Sequence, residues 1–364
     1  MSNSYKAISL SAINAAGTSN KALYSALTTQ MFFGQLSPLQ IRINKGIVKP
    51  YFTVPLPTLE SLNVSTKKAL LLTACLQETT KKIQQLTTVM PTNTIEQIII
   101  VTSMLSSNAE HGESIKTEWQ QIALETVKEE FTQLKQLSEK VIFSYSYTPS
   151  LEQNLALCVQ ANGFKRPIII INIESLCSYN DIKILNNKLD IQCHQGAAGI
   201  MPSEGATSTL FIPDNFPCNQ INTKLHHLIN IKSLNINTQE KKTDNKIPSI
   251  KEQLTHAKFS LPSNVLHVGT NSQTWATHWY GQTHSFYHQP NEPLTPPKTL
   301  TLYDQTNILG YLGIANFTTA LASATALLTS PIENTSTVWI VEHSFNSKNL
   351  QPQANVYQIT CTIN

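Results

Sequence analysis

Hydrophobic residues along this chain fall into runs of two kinds. Lys6–Ile13, Gln97–Thr102, Lys140–Tyr147 and Arg166–Ile173 are short, apolar and rich in β-branched residues, which predicts strands. Between them, Lys21–Met31, Thr66–Leu86, Ile115–Glu139 and Ser150–Asn162 place apolar residues three and four apart, which predicts helices. Gly17 marks a turn, and Pro50–Pro57 reads as a proline-rich connection. A loop with Gly196, Gly199 and Gly205 leads into the strand Thr207–Ile212. The order then recurs. Leu225–Leu234, Val265–Val268, Thr299–Tyr303, Val338–Glu342 and Asn355–Thr362 read as strands, and Ile250–Lys258, Trp275–Phe286 and Ile314–Leu328 as helices. The polar stretch Asn237–Lys246 reads as a solvated loop.

Each half therefore runs βαβαβαββ, with one extra helix in the first. Such alternation implies mostly parallel sheet covered by helices, and the recurrence implies an internal duplication. The halves divide as residues 1–218 and 219–364, packed as one unit. Ser150–Asn162 and Ile314–Leu328 are the most apolar helices around their whole circumference, and such helices are buried. The expected architecture is a five-layered α/β/α/β/α sandwich with these two helices between two sheets.

Composition narrows the function classes. Charged residues make up 13% of the 364, about half the roughly 25% usual for soluble domains. A net charge of +3, with Arg42 and Arg166 the only arginines, is a weak footprint for nucleic acid, and no such partner is expected. The start lacks a basic segment followed by a long apolar run, so no signal peptide is expected. Gly313–Leu328 is long and apolar but carries Asn316, Thr318, Thr319, Ser323 and Thr325, and reads as a buried helix rather than a membrane span. The six cysteines show no CxxC pairing and sit mostly in apolar runs, which fits a reducing cytoplasm.

Several short motifs, in order, resemble the thiolase fold and, within it, the β-ketoacyl synthase branch of condensing enzymes. Pro202-Ser203-Glu204-Gly205-Ala206 before a strand resembles the family's Gly-Glu-Gly-Ala signature. Leu309 to Ala315, with Gly310 and Gly313, resembles the Gly-His-x-x-Gly-Ala-Ala stretch that opens the second buried helix, allowing a one-residue deletion. Val265 to Thr270 stands where the family has Glu-Ala-His-Gly-Thr, and Ala7 to Gln35 resembles its first strand and helix. The resemblance implies a nucleophilic cysteine at the start of the first buried helix, where the helix terminus favours the thiolate, together with two histidines and a lysine. At the matched positions this chain has Ser146, Val268, Tyr311 and Thr306. The family's late Gly-Phe-Gly-Gly loop is matched by Asn346-Ser347-Lys348-Asn349. The whole reacting set is thus replaced at once, while Glu204, Gly205, Ala206, Gly310 and Gly313 keep the structural motifs.

Other candidates read as structural. Around Ser146, Thr148 as a cap, Pro149 at the first helical position and Ser150 with Gln153 as a capping box account for the residues. His284 and His288 share a helical face at a spacing that can hold zinc, but they lie among aromatic residues without an acidic or cysteine partner, and no metal is assigned. Cys193 and His194 are adjacent and so point apart. His267 lies one residue from the matched histidine position, which turns it to the other face of a strand.

The expected function is a β-ketoacyl synthase-like protein without the Cys/His/His set. It acts as a non-catalytic partner, adaptor or acyl-binding subunit with no cofactor. The resemblance implies a homodimer, or a heterodimer with another thiolase-fold chain, joined through Lys140–Tyr147. It also implies an acyl carrier protein, or an effector-type protein of a bacterial delivery system, as a further partner. The alternative is an active acyltransferase, of the 3-oxoacyl-carrier-protein synthase type, with a rearranged site around Ser146, Cys193 or His267.

Overall fold

Strand β6 (Ile168–Ser175) has all eight residues buried, and its side chains divide between two cores. Ile168 and Ile170 enter a central core, whereas Ile169, Ile171 and Ile173 enter an outer one. That two-residue alternation is what a strand covered on both faces requires. A computed structural model describes residues 4–42, 47–87, 90–103, 112–132, 135–146, 150–187, 191–195, 199–217, 227–236, 250–269, 301–332, 335–346 and 351–361.

In the first half, β1 (Ser4–Ile13), β4 (Gln97–Thr102), β5 (Val141–Tyr145), β6 and β7 (Glu204–Ile212) line up as β5-β4-β6-β7-β1. In the second, β8 (Ile229–Ile236), β9 (Asn264–Gly269), β10 (Thr301–Asp304), β11 (Thr337–Asn346) and β12 (Gln351–Cys361) line up as β10-β9-β11-β12-β8. Numbered within each half, both orders are 3-2-4-5-1. In both, the third, second and fourth strands pair in parallel and the fifth is antiparallel to its neighbours. The duplication read from the sequence is therefore a duplication of topology. A short antiparallel ladder, Ser4–Ala7 against Ile229–Lys232, joins the two halves along one edge into a single ten-stranded sheet.

This sheet bends around one helix, α9 (Asn316–Leu328), all of whose residues are buried. It packs on β1 and β7 of one half and on β9, β11 and β12 of the other. Alanine, serine and threonine make that close approach possible. The buried hydroxyls of Thr319 and Thr325 donate back to Ala315 and Leu321 carbonyls at 2.7 and 2.8 Å. Helices α2 (Val64–Leu86) and α3 (Gly112–Glu130) cover the outer face of the first half, and α7 (Ile250–His256) with Phe259 covers that of the second. The five layers expected from the sequence are present.

Helix α5 (Leu151–Asn162) departs from its expected complete burial. It puts Leu151, Leu155, Leu157 and Cys158 into the central core and leaves Glu152, Ala156, Val159 and Gln160 exposed. Its N-cap is Ser150, whose hydroxyl accepts from Gln153 N, and its C-cap is Gly163 in the left-handed region. Two further elements stand where the sequence suggested none. Gln35–Arg42 (β2) and Val48–Thr53 (β3) form a separate hairpin, and Tyr179–Asn186 forms α6. The expected helix Ile115–Glu139 ends at Glu130, and a short α4 (Lys135–Ser138) follows. The expected helix Trp275–Phe286, with His284 and His288, lies outside the described residues. So do the loop Asn237–Lys246, Thr148, Pro149 and Ser347 to Asn349.

Candidate functional site

The C-terminal ends of the parallel strands are where open α/β sheets collect polar groups. In this chain β4, β5 and β6 end at Thr102, Tyr145 and Ser175, and β9, β10 and β11 end at Gly269, Asp304 and Asn346. The segment between α8 (Gln305–Leu309), which follows β10, and α9 reaches the first set: Tyr311 bonds the backbone of Met201 and Ser203, and Ile314 N donates to Glu174.

Glu174, near the end of β6, is fully buried and organises the first set. Its carboxylate accepts from Ser103 Oγ at 2.6 Å, Ser175 N at 3.2 Å and Ile314 N at 3.3 Å. Lys68 Nζ is 3.9 Å away and donates to Ser103 O at 2.6 Å. Burial pushes the Glu174 carboxyl up and the Lys68 ammonium down, and each charge holds back the other's shift. Beside it, Glu204 opens β7. Its carboxylate accepts from Lys67 Nζ at 2.6 Å, Ser175 Oγ at 2.9 Å and Leu56 N at 3.1 Å. Both members of the Lys67–Glu204 pair are buried, so removing one alone costs about 3–5 kcal/mol by leaving the other uncompensated.

The matched glycines follow from this arrangement. Gly313 has φ +49°, and a side chain there would collide with the Glu174 carboxylate. Gly205 pairs with Glu174 across β6–β7, and a Cβ on it would lie 2.6 Å from the Ile13 carbonyl. Ala206 continues β7 opposite Ile173, and Gly310 ends α8.

The positions matched to the reacting groups are all buried. Ser146 directly follows β5, with its backbone N bonded to Thr102 O. Val268 on β9 lies opposite Glu342 on β11. Thr306 Oγ1 accepts from Gly269 N at 3.1 Å. Tyr311 exchanges backbone bonds with Met201 and Ser203, and burial together with Glu174 and Glu342 raises its phenol. The structure thus brings Tyr311, Gly313, Glu204 and Gly205 around Glu174, whereas Ser146 stays at the end of the sheet's outermost strand. His267 lies between Leu266 and Val268, which enter the central core, while Val265 enters the outer one; His267 therefore faces outward. Burial lowers its pKa to about 4, so it is neutral at pH 7. Cys193 is buried and His194 exposed, so they point apart. Burial pushes the thiols of Cys75, Cys158, Cys177, Cys193 and Cys361 upward, the reverse of an activated thiolate. Among the described residues no group of three or more His, Cys, Asp or Glu is placed to hold a metal ion.

Sequence reasoning missed three participants. Lys67 and Lys68 carried a signal, since each lies four residues before a buried leucine of α2, Leu71 and Leu72. The third is Glu342. It shares its strand parity with Val338 and Ile340 and so faces the central core, where Tyr357 Oη donates to it at 2.8 Å. Burial raises its carboxyl to about 7, against an ordinary 4.5. A buried carboxyl of that pKa beside the matched positions is the strongest acid–base candidate at this end of the sheet.

No family model matches the chain, and no curated protein matches it. Solved structures do match it. A ketosynthase from module 6 of the bacillaene synthase of Bacillus subtilis 168 is similar with a TM-score of 0.57 at 10% identity, over 98% of this chain and 72% of that one. A ketosynthase domain of Streptomyces albus JA3453, from oxazolomycin synthesis, gives 0.56 at 8% identity, over 99% and 75%. A ketosynthase from Xenorhabdus doucetiae, solved in complex with its chain length factor, gives 0.55 at 11% identity, over 98% of each chain. The likeness is one of fold: this chain has the thiolase fold of the condensing enzymes.

Glu342 generates a prediction. Because its native pKa lies above its ordinary value, the folded chain holds the proton longer than the unfolded chain does. Stability therefore falls as pH rises from about 4.5 to about 7 and then levels off. Asp304, raised by burial to about 6, acts in the same direction in any variant that keeps it. Glu342→Gln should be the more stable protein at pH 8, by up to roughly 3 kcal/mol, with the gain vanishing toward pH 4.5. Denaturant unfolding of both proteins across this range checks it, and parallel curves would refute the buried ionisation.

Proposed function

We propose that this chain is a non-catalytic thiolase-fold protein, acting as a partner, adaptor or acyl-binding subunit. The observation that carries this reading is the replacement of the whole reacting set, with Ser146, Val268, Tyr311 and Thr306 at the matched positions, in a fold that keeps its frame. The upward shifts of the described cysteines support it, since acyl transfer through a thiol needs the thiolate. Residues 1–218 and 219–364 are its two halves, working as one unit. Free cysteines at the five described positions fit a cytoplasmic site of action, and no helix among the described residues is long and apolar enough to cross a membrane.

The partners follow from the same reading. β5 is the last strand of the sheet on its side, Ile142 on it is exposed, and Val159 and Ala156 are exposed on α5. An open strand edge flanked by exposed apolar side chains favours pairing with another chain. A second copy, or another thiolase-fold chain, fits there; the Xenorhabdus doucetiae ketosynthase is itself solved in complex with its chain length factor. The expected mass by light scattering at micromolar concentration is that of a dimer when the chain is alone; a monomer would count against the homodimer. An acyl carrier protein or an effector-type protein is the proposed further partner.

Glu342 favours one second reading, an acyltransferase with a rearranged site, because its raised carboxyl supplies an acid–base group near Tyr311. Incubation with an acyl-coenzyme A thioester followed by intact-mass measurement separates the two. The mass is expected to stay unchanged. A stoichiometric acyl adduct that disappears in Ser146→Ala or Glu342→Gln would overturn the non-catalytic reading.

A further inference from the structure

Glu174 and Glu204 each meet a lysine, Lys68 and Lys67, but Glu342 does not. Among the described residues, the charged group that acts on it is another carboxylate, Glu152 on α5. Tyr357 Oη donates to Glu342 at 2.8 Å and the Asn355 side chain bonds it as well, and both groups are neutral. Buried charges are ordinarily paired with an opposite charge or coordinate a metal ion. Register gathers further oxygen atoms around this carboxylate. Asp304, His267 and Val341 stand abreast on β10, β9 and β11, so Gln305, Val268 and Glu342 stand abreast one residue further on. Tyr303, Leu266, Val268 and Ile340 enter the central core, and the two-residue alternation turns Glu342 the same way. Gln305 faces α9, since its Nε2 donates to Asn316 O at 3.4 Å. Asn316 opens α9 and is followed by Phe317, whose ring lies edge-on to that of Tyr357 at 4.7 Å. Asn355 lies directly opposite Glu342 on β12 and so shares its face.

Three oxygens around Glu342 have no donor among the described residues: Gln305 Oε1, Asn316 Oδ1 and Asn355 Oδ1. Gln305 and Asn316 are 0% and 1% exposed, so bulk solvent does not satisfy them. Buried amide oxygens are ordinarily bonded. Acceptors alone, gathered about one carboxylate, are the donor set of a hard cation. A single carboxylate balances a single positive charge. A divalent ion would leave net charge buried, and magnesium would also have to shed water that it holds tightly. We propose that Gln305, Asn316, Asn355 and Glu342 form a binding site for a monovalent alkali cation, potassium or sodium, which ties the start of α9 to the ends of the second half's strands.

The site stands whether or not the chain transfers acyl groups. The test uses the full chain at pH 8, exchanged into tetramethylammonium chloride and then titrated with potassium, sodium or magnesium chloride at constant ionic strength. Potassium or sodium should raise the melting temperature saturably, by about 3–5 °C at roughly a hundred times the dissociation constant. The ion with the lower half-saturation is the one the site takes. A crystal grown with thallium(I) in place of potassium should show the ion's anomalous signal between Gln305, Asn316 and Glu342. Glu342→Gln and Gln305→Met keep the side-chain size and should each lose the response. Gln305→Met alone decides the matter if Glu342→Gln does not fold. A melting temperature indifferent to the cation, as an ordered water at this place would leave it, would overturn the proposal. So would a larger response to magnesium, a response unchanged in the variants, or a thallium signal found only elsewhere.

Discussion

Glu174 is the group on which the arrangement of the two halves turns. It sits at the end of a strand of the first half, yet it accepts the Ile314 N–H at the entrance to α9, the helix both halves share. A buried carboxylate is costly unless several donors meet it, and here Ser103, Ser175, Ile314 and Lys68 do so. The same crowding dictates Gly313, because the carboxylate occupies the space a side chain would need. Glycine is scarce in this chain, with 12 in 364 residues. Those at 205 and 313 are held in place by backbone and carboxylate contacts rather than by a need for flexibility.

This constraint also bears on function. The C-terminal ends of the parallel strands hold a network whose donors and acceptors serve one another. Lys67 answers Glu204, Lys68 answers Glu174, Thr306 receives Gly269 N, and Tyr311 is tied by its backbone to residues 201 and 203. Groups committed in this way hold the frame together. Glu342 differs from them in pairing with a neutral tyrosine instead of a cation.

Much of the fold was legible in the sequence, and the failures have physical causes. The isoleucine run of β6 and the uninterrupted apolar surface of α9 could be placed because full burial leaves no polar position to misread. α5 looked alike by hydrophobicity, but Val159 and Ala156 are exposed. A hydrophobic residue does not declare whether its own chain covers it or another does. The hairpin was hidden by Pro38 and Pro50, which sit within its strands, and by the register shift between Leu36 and Gln40. α6 did carry a signal: Ser178 and Asp181 have the spacing of a capping box, and Ser178 is its N-cap. At the site, the motif residues Glu204, Gly205, Gly310 and Gly313 were found by resemblance. Lys67, Lys68 and Glu342 were not, because charged residues are ordinarily assigned to solvent.

The Glu174 carboxylate thus couples the first half to the helix the halves share. Hydrogen exchange of Glu174→Gln against the parent chain, resolved by peptide, tests it most directly. Exchange should quicken both at residues 310–317 and at residues 97–103, where Ser103 loses the carboxylate it donates to, under conditions in which β12 remains protected. Unchanged protection in residues 310–317 would contradict it.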